Sequence, residues 1–289
     1  SAISAWPRVS TRCIIPLLEP TIERMLYLCI PSHNEAPTAG LLLWKIRKAL
    51  QTFPREYEIL VADDGSTDKT SEILEPYAKA LPLTVLRHAE RQGYARSVEE
   101  LLRLAVERTD RPKRDAAILM HADFAHSPDD LPELVRCLES GADMVVTKAT
   151  LKGESRRSAR LVRRYAPWLL RGIKVSGVED IVSGFGAFRL MCLRNAMRVS
   201  NGPLLTLDGW AANAELIGRV ASHARRIETV EVVEHLELHQ RASRVDPWPL
   251  ARQLWQDGGR LHIRSGRSQD VRRDAVRGTE DQELEEVTR

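Results

Sequence analysis

The stretch Met25-Leu26-Tyr27-Leu28-Cys29-Ile30 runs directly into Pro31-Ser32-His33-Asn34-Glu35. An apolar run this short, stopped by proline, is too brief for a buried helix. It fits a strand covered on both faces, as strands of a parallel sheet are. The pattern repeats down the chain. Ala39 to Leu50 carries Leu42, Leu43, Ile46 and Leu50 at helical spacing, and Glu58 to Ala62 (EILVA) is a second apolar strand closed by Asp63-Asp64-Gly65. Asp68 to Ala80 reads as a helix, Leu83 to Leu86 as a third strand, and Val98 to Glu107 as a helix. Ala116 to Met120 and Asp143 to Thr147 are a fourth and fifth strand, with a helix from Pro128 to Glu139 between them. Leu204 to Val220 is a later helix and Ile227 to Val233 a late strand. Strands alternating with helices predict an α/β fold: a mostly parallel sheet with helices on both faces.

The chain has 289 residues, 43% hydrophobic and 29% charged. At about 150 residues per domain that is one large domain or two small ones, with chain enough to bury a core without disulfides. Wholly disordered, collagenous and disulfide-scaffold classes are excluded. The net charge of +3 does not suggest nucleic acid as a partner. Cys13, Cys29, Cys137 and Cys192 form no C-x-x-C pair, which argues against a zinc site. Cys29 and Cys137 sit in apolar surroundings and read as buried free thiols in a reducing compartment. No apolar run is long enough to span a membrane, and Pro7, Arg8, Arg12 and Pro16 interrupt residues 1–19 where a leader would need a continuous apolar stretch. The expected organisation is an N-terminal extension over 1–24, one domain over 25–264, and a mobile charged tail over 265–289 that ends acidic.

Between Lys152 and Lys174 the cations Arg156, Arg157, Arg160, Arg163, Arg164 and Arg171 face Glu154 alone. Leu161, Tyr165, Trp168 and Leu169 fall on one helical face. A basic amphipathic helix with Trp and Leu has the form of a segment lying on an anionic membrane surface; the plainer alternative is a solvated helix packed on the sheet.

Ligands of open α/β sheets bind outside the carboxyl ends of the strands. Polar clusters stand there in succession: Pro31 to Glu35 after the first strand, Asp63 to Asp68 after the second, and His121-Ala122-Asp123 after the fourth. Each alone is also turn or cap chemistry, but three in a row predict a carboxylate-rich crevice. It lacks a phosphate-cradling glycine loop, so a diphosphate would need a divalent cation beside Asp123.

These residues carry a resemblance. Pro31-Ser32-His33-Asn34-Glu35 resembles the P-x-x-N-E opening of family 2 glycosyltransferases of the GT-A (Rossmann-like) fold, and Asp63-Asp64-Gly65-Ser66-Thr67-Asp68-Lys69-Thr70 resembles their D-D-G-S-x-D-x-T segment. Arg91-Gln92-Gly93-Tyr94-Ala95 is similar to the stretch following their third strand. His121-Ala122-Asp123-Phe124-Ala125-His126-Ser127-Pro128 and Asp180-Ile181-Val182-Ser183-Gly184-Phe185-Gly186-Ala187-Phe188-Arg189 resemble motifs of the dolichyl- and polyprenyl-phosphate mannosyl- or glucosyltransferases. The resemblance spans about residues 25 to 245. It implies an inverting displacement that moves a hexose from a GDP- or UDP-sugar to a polyprenyl phosphate, by a protein held peripherally at the cytoplasmic membrane surface. It implies donor contacts from Pro31, Asn34, Glu35, Asp63, Asp64, Ala122 and Asp123, a Mn2+ or Mg2+ ion on Asp123 and His121, and cations at the reacting phosphate from Lys148, Arg160, Arg164 and Arg241. Ser243 and Arg244 join Arg160 and Arg164 as acceptor residues on the same basis. A lipid phosphate is already anionic, so it needs cations in line rather than a general base.

The sequence departs from the family at three points, one of them the late strand, which shows Val232-Val233-Glu234 in place of the subgroup's E-V-P pattern. His121 stands where the motif has its first aspartate, and Ala125 where it has a further polar residue. An imidazole suits Mn2+ better than Mg2+. Two alternatives stay open. One is a soluble glycosyltransferase with a small hydroxylated acceptor, which needs a base from Glu179, Asp180, Asp208 or Glu215. The other is an inactive nucleotide-sugar-binding protein. His235 and His239 are read as structural or surface residues rather than a metal pair.

Overall fold

The computed structural model describes residues 24–51, 55–152, 157–200, 202–235, 247–260 and 262–265. In chain order the strands are β1 (Met25–Ser32), β2 (Glu56–Asp63), β3 (Leu83–Arg87), β4 (Ala116–Leu119), β5 (Met144–Lys152), β6 (Ile173–Val175), β7 (Gly186–Arg189), β8 (Ile227–His235) and β9 (Ile263–Ser265). The helices are α1 (Ala36–Gln51), α2 (Thr70–Ala80), α3 (Tyr94–Arg108), α4 (Leu131–Glu139), α5 (Arg157–Leu169), α6 (Leu190–Val199), α7 (Gly209–Ala221) and α8 (Pro247–Asp257). A short 3-10 turn at Pro128–Asp130 leads into α4.

Seven strands form one sheet in the order β3-β2-β1-β4-β7-β5-β8. All pairings are parallel except those of β7, which runs antiparallel to both β4 and β5. The central strands alternate across two cores. Leu26, Leu28 and Ile30 of β1 meet Leu42, Leu43 and Ile46 of α1 on one face. Tyr27 and Cys29 meet Val98, Leu101 and Leu102 of α3 on the other. The period-2 geometry of a strand forces this split, and it explains why the strands read as unbroken apolar runs. A third, smaller cluster joins Ala166 and Leu170 to Ile173, Ile181, Val182, Leu207 and Leu254.

The predicted α/β class matches the structure; α1 and α3 begin three and four residues earlier than predicted, whereas α2, α4 and α7 begin two, three and five residues later. The strands β6, β7 and β9 and the helices α6 and α8 were not anticipated. At four residues, β7 is too short to show a period, and its strand character comes from pairing Gly186 with Leu119 on one side and with Val146 on the other. The basic segment also divides differently: Lys152 closes β5, α5 covers only Arg157–Leu169, and Ile173–Val175 pairs with β9. Cys137 is partly exposed rather than buried. The residues assigned to the extension and the charged tail lie outside the described ones, apart from Arg24 and Ser265. No helix among the described residues is long and apolar enough to cross a membrane.

Candidate functional site

The β1–β2 register sets Ser32 opposite Asp63, and the β1–β4 register sets Cys29 opposite Leu119. The three polar clusters therefore leave the sheet at one edge, where a crevice of about 220 Å³ opens. Its lining includes Pro31, Glu35, Asp64, His121, Ala122 and Asp123 from the expected set. Ser32, His33, Arg91, Tyr94 and Ser97 line it too. Of these, Arg91 and Tyr94 belong to a stretch whose likeness to the family was legible, but only the fold brings that stretch beside Asp64 and His121.

Two expected donor residues have a different job. Asn34 is not part of the lining; it sits at φ 57°, and its side-chain Oδ1 accepts from the amides of Thr67 (2.7 Å) and Asp68 (3.2 Å). Its own amide donates to Ser66 Oγ (2.9 Å), so Asn34 staples the first loop to the second. Left-handed backbone at a non-glycine residue persists only where such bonds over-determine it. Asp63 is buried and also absent from the lining. Its carboxylate accepts from the Ser66 amide (3.2 Å) and from the Ser71 hydroxyl, fixing the turn. Of the expected aspartates, Asp64 and Asp123 are in the lining, and Asp63 is held in the turn beside Asp64.

Asp64 Oδ1 accepts from the Gln92 amide (2.6 Å) and His88 Nδ1 (2.8 Å), and Oδ2 from the Gly93 amide (3.0 Å). Burial works against the charged carboxyl, but the His88 imidazole and the two amides hold it below its ordinary value. The loop after β3 can approach this closely because Gly65, at φ 60°, has no side chain. A Cβ there would fall 2.6 Å from the Arg91 nitrogen.

His121 lies flat on Tyr94, ring centroids 5.1 Å apart, with Nε2 3.3 Å from Tyr94 Oη. Tyr94 Oη donates to Asn213 Oδ1 (2.7 Å), and Asn213 Nδ2 donates to the Val182 carbonyl (3.1 Å). His121 thus belongs to a packed polar chain linking α3, α7 and the segment before β7. Asp123 Oδ1 accepts from the Ala125 amide (3.0 Å), and the next residue, Phe124, sits at φ 62°. Among the described residues no group of three or more His, Cys, Asp or Glu is arranged to hold a metal ion. The residues therefore fit a cation held chiefly by a diphosphate with Asp123 as the protein's ligand. They do not form a metal site complete in protein groups alone; His121 lines the same crevice as Asp123.

On the acceptor side, Lys148 is not at the strand end, because β5 continues to Lys152. Its Nζ pairs with Glu179 (2.8 Å) and approaches Glu231 (3.6 Å); the Glu179 bond in particular raises its pKa. Arg164 is on the exposed side of α5. Arg160 belongs to the same helix, with its side chain outside the described residues, as are Arg241, Ser243, Arg244 and His239. Among the described side chains of α5, the inward cation is Arg163, which grips Asp180 (2.8 Å) and lies over the Trp210 ring (5.9 Å). Leu161, Tyr165 and Trp168 face outward at 53%, 55% and 64% exposure, while Ala166 and Leu170 are buried and Leu169 packs inward with them. Trp168 meets Trp255 of α8 (5.2 Å), and the Arg171 guanidinium covers that ring (4.2 Å).

Each candidate base has a hydrogen-bond or ion-pair partner. Glu215 is fully buried, accepting from the amides of Thr206 (2.7 Å) and Leu207 (3.0 Å) and pairing with Arg219 (2.8 Å). Asp180 is held by Arg163, Glu179 by Lys148, and Asp208 accepts from the Ala95 amide (3.0 Å).

A family model described as glycosyl transferase family 2 matches residues 27–196. A dolichol-phosphate mannosyltransferase of Pyrococcus furiosus is 29% identical over 166 residues, covering 55% of this chain and 45% of that protein. An undecaprenyl-phosphate mannosyltransferase of Micrococcus luteus is 25% identical over 211 residues, covering 70% of this chain and 80% of that protein. The chain spans less than half the length of several curated relatives it matches, the Pyrococcus protein among them. Among solved structures, glucosyl-3-phosphoglycerate synthase of Mycobacterium tuberculosis, crystallised with Mn2+, uridine diphosphate and glucosyl-3-phosphoglycerate, superposes with a TM-score of 0.54 at 21% identity. That match covers 82% of this chain and 80% of that one. A mycobacterial protein gives a TM-score of 0.57 at 18% identity, covering 82% and 75%. The fold is that of the GT-A glycosyltransferases.

Proposed function

Because the chain belongs to glycosyl transferase family 2, we propose that it moves a hexose, with inversion, from a GDP- or UDP-sugar to a polyprenyl phosphate at a membrane surface. The observation that carries this reading is the crevice itself, where Glu35, Asp64, Asp123 and Arg91 from four separate loops meet at one sheet edge. Glu35 and Asp64 hold the nucleoside side, and Asp123 lies toward the diphosphate. A divalent cation, Mn2+ or Mg2+, bound between Asp123 and the diphosphate would neutralise the leaving group. The names of the Pyrococcus and Micrococcus relatives support a lipid-phosphate acceptor. The acceptor phosphate is assigned to Arg164 together with Arg160, Arg241, Ser243 and Arg244. Lys148 contributes only if its carboxylate partners release it. The outward aromatic and basic surface of α5 and α8 is the proposed membrane contact, and the exposed Tyr165, Trp168 and Trp255 support peripheral association with the cytoplasmic membrane surface.

The test is transfer of labelled hexose from a panel of UDP- and GDP-sugars to polyprenyl phosphate in anionic vesicles, with small hydroxylated acceptors in parallel. A glycosyl phospholipid of inverted anomeric configuration is expected. Transfer only to the small acceptors would replace the lipid reading, and donor binding without any transfer would favour a binding protein.

A further inference from the structure

His88 stands between two carboxylates. Its Nδ1 lies 2.8 Å from Asp64 Oδ1 and its Nε2 2.7 Å from Glu100 Oε2. Arg96 Nε holds the other oxygen of Glu100 at 2.5 Å. An ionised carboxylate can only accept, so both bonds exist together only when both ring nitrogens carry protons. The neutral ring has one N–H and turns a lone pair toward one of the two acids. With both acids ionised, the geometry therefore calls for an imidazolium. The charged groups around it are Asp64 just past β2, Glu90 and Arg91 in the loop after β3, and Arg96 and Glu100 on α3. Burial opposes the charge, and the bonds to Asp64 and Glu100 overcome it, raising the imidazole above its ordinary value.

Asp64 lines the crevice, and the loop that carries His88 also carries Arg91, a second lining residue. The same loop is bound to Asp64 through the Gln92 and Gly93 amides. We propose that His88 is a positioning residue: its imidazolium ties Asp64 to Glu100 and so fixes the Asp64 carboxylate and the Arg91 loop in the shape that receives a nucleotide sugar. Loss of that proton breaks one tie and weakens donor binding while the chemical step on bound donor is spared. This rests on the donor reading given above.

The experiment measures the affinity of the full chain for UDP-glucose and GDP-mannose by calorimetry from pH 6.0 to 8.5, alongside the His88 ring titration by NMR. His88 in the parent should titrate above 6.5, and in Glu100→Gln at a lower pH, because the second acid is gone. In Glu100→Gln the affinity should fall about ten-fold across the new midpoint. His88→Gln, which has no proton to lose, should bind several-fold more weakly than the parent at pH 6.0 and show no such step. In transfer assays the change should appear in the donor KM rather than kcat. A parent His88 titrating at or below 6.5, or a Glu100→Gln affinity that ignores its midpoint, would overturn the assignment. A parent that binds neither sugar nucleotide at any pH brings down the donor reading itself, while the NMR midpoints still report the state of His88.

Discussion

The edge of the His121 imidazole rests against the α-carbon of Gly184. A Cβ built on Gly184 would fall 1.9 Å from His121 Nε2 and 2.6 Å from its Cδ2. The contact arises because β7 starts at Gly186, paired with Leu119, and so delivers Ser183 and Gly184 to the end of β4. With Tyr94 stacked on its ring, His121 cannot yield cheaply. Gly184→Ala should displace the imidazole and cut transfer by about ten-fold or more, with a modest loss of stability. Unchanged transfer alongside an unchanged His121 NMR signal would show that the contact is slack.

Asp123→Ala should reduce transfer by about 100-fold or more while leaving the melting temperature within a few degrees of the parent, since a loop carboxylate at a site edge adds little to stability. Assays of transfer and thermal unfolding on the same preparation decide it. Collapse of the fold would assign Asp123 to structure instead.

His121→Asp places a second carboxylate near Asp123. Activity supported by Mg2+ should rise relative to that with Mn2+, because hard oxygen ligands suit Mg2+ and an imidazole does not. Identical activities of variant and parent in Mg2+, Mn2+ and chelator would show that no cation bridges this position.

The His88 bonds also make a pH-dependent contribution to stability. A group whose pKa is raised on folding stabilises fully below its unfolded value, ordinarily 6.5 here, and the contribution is lost as pH rises through the folded value. Parent and His88→Gln should therefore differ most in urea midpoint near pH 6, by about 1–2 kcal/mol, and converge at alkaline pH. The lowered Asp64 carboxyl acts at the other end: its contribution is present above the ordinary 3.8 and is lost as pH falls through its folded value. A gap between the two proteins that stays constant with pH would contradict the imidazolium.

Replacing Trp168 and Trp255 by Ala should weaken co-sedimentation with anionic vesicles, and salt should weaken the parent's binding, because attraction to the basic face decays within a Debye length. Donor affinity should stay near the parent's. Vesicle binding equal to the parent's would remove α5 and α8 from the membrane contact.

The order of strands and helices was legible because burial on both faces leaves unbroken apolar runs, as in Leu26 to Ile30 and Ile59 to Ala62, and helical spacing marks Leu42, Leu43 and Ile46. The location of the crevice followed from the same reading, since parallel strands send their following loops to one edge. What Asp63, Asn34 and Glu215 do was not legible. A carboxylate at a strand end looks the same in sequence whether it meets ligand or a turn amide, and only the direction of its side chain separates Asp64 from Asp63. Arg163 rather than Arg164 turns inward for a similar reason: the core buries Ala166 and Leu170, and that choice fixes the rotation of the helix. Contacts between residues distant in the chain decided the rest. His121 meets Gly184 through an antiparallel strand too short to leave a period, and His88 bridges Asp64 and Glu100 only because the loop after β3 folds back over Gly65.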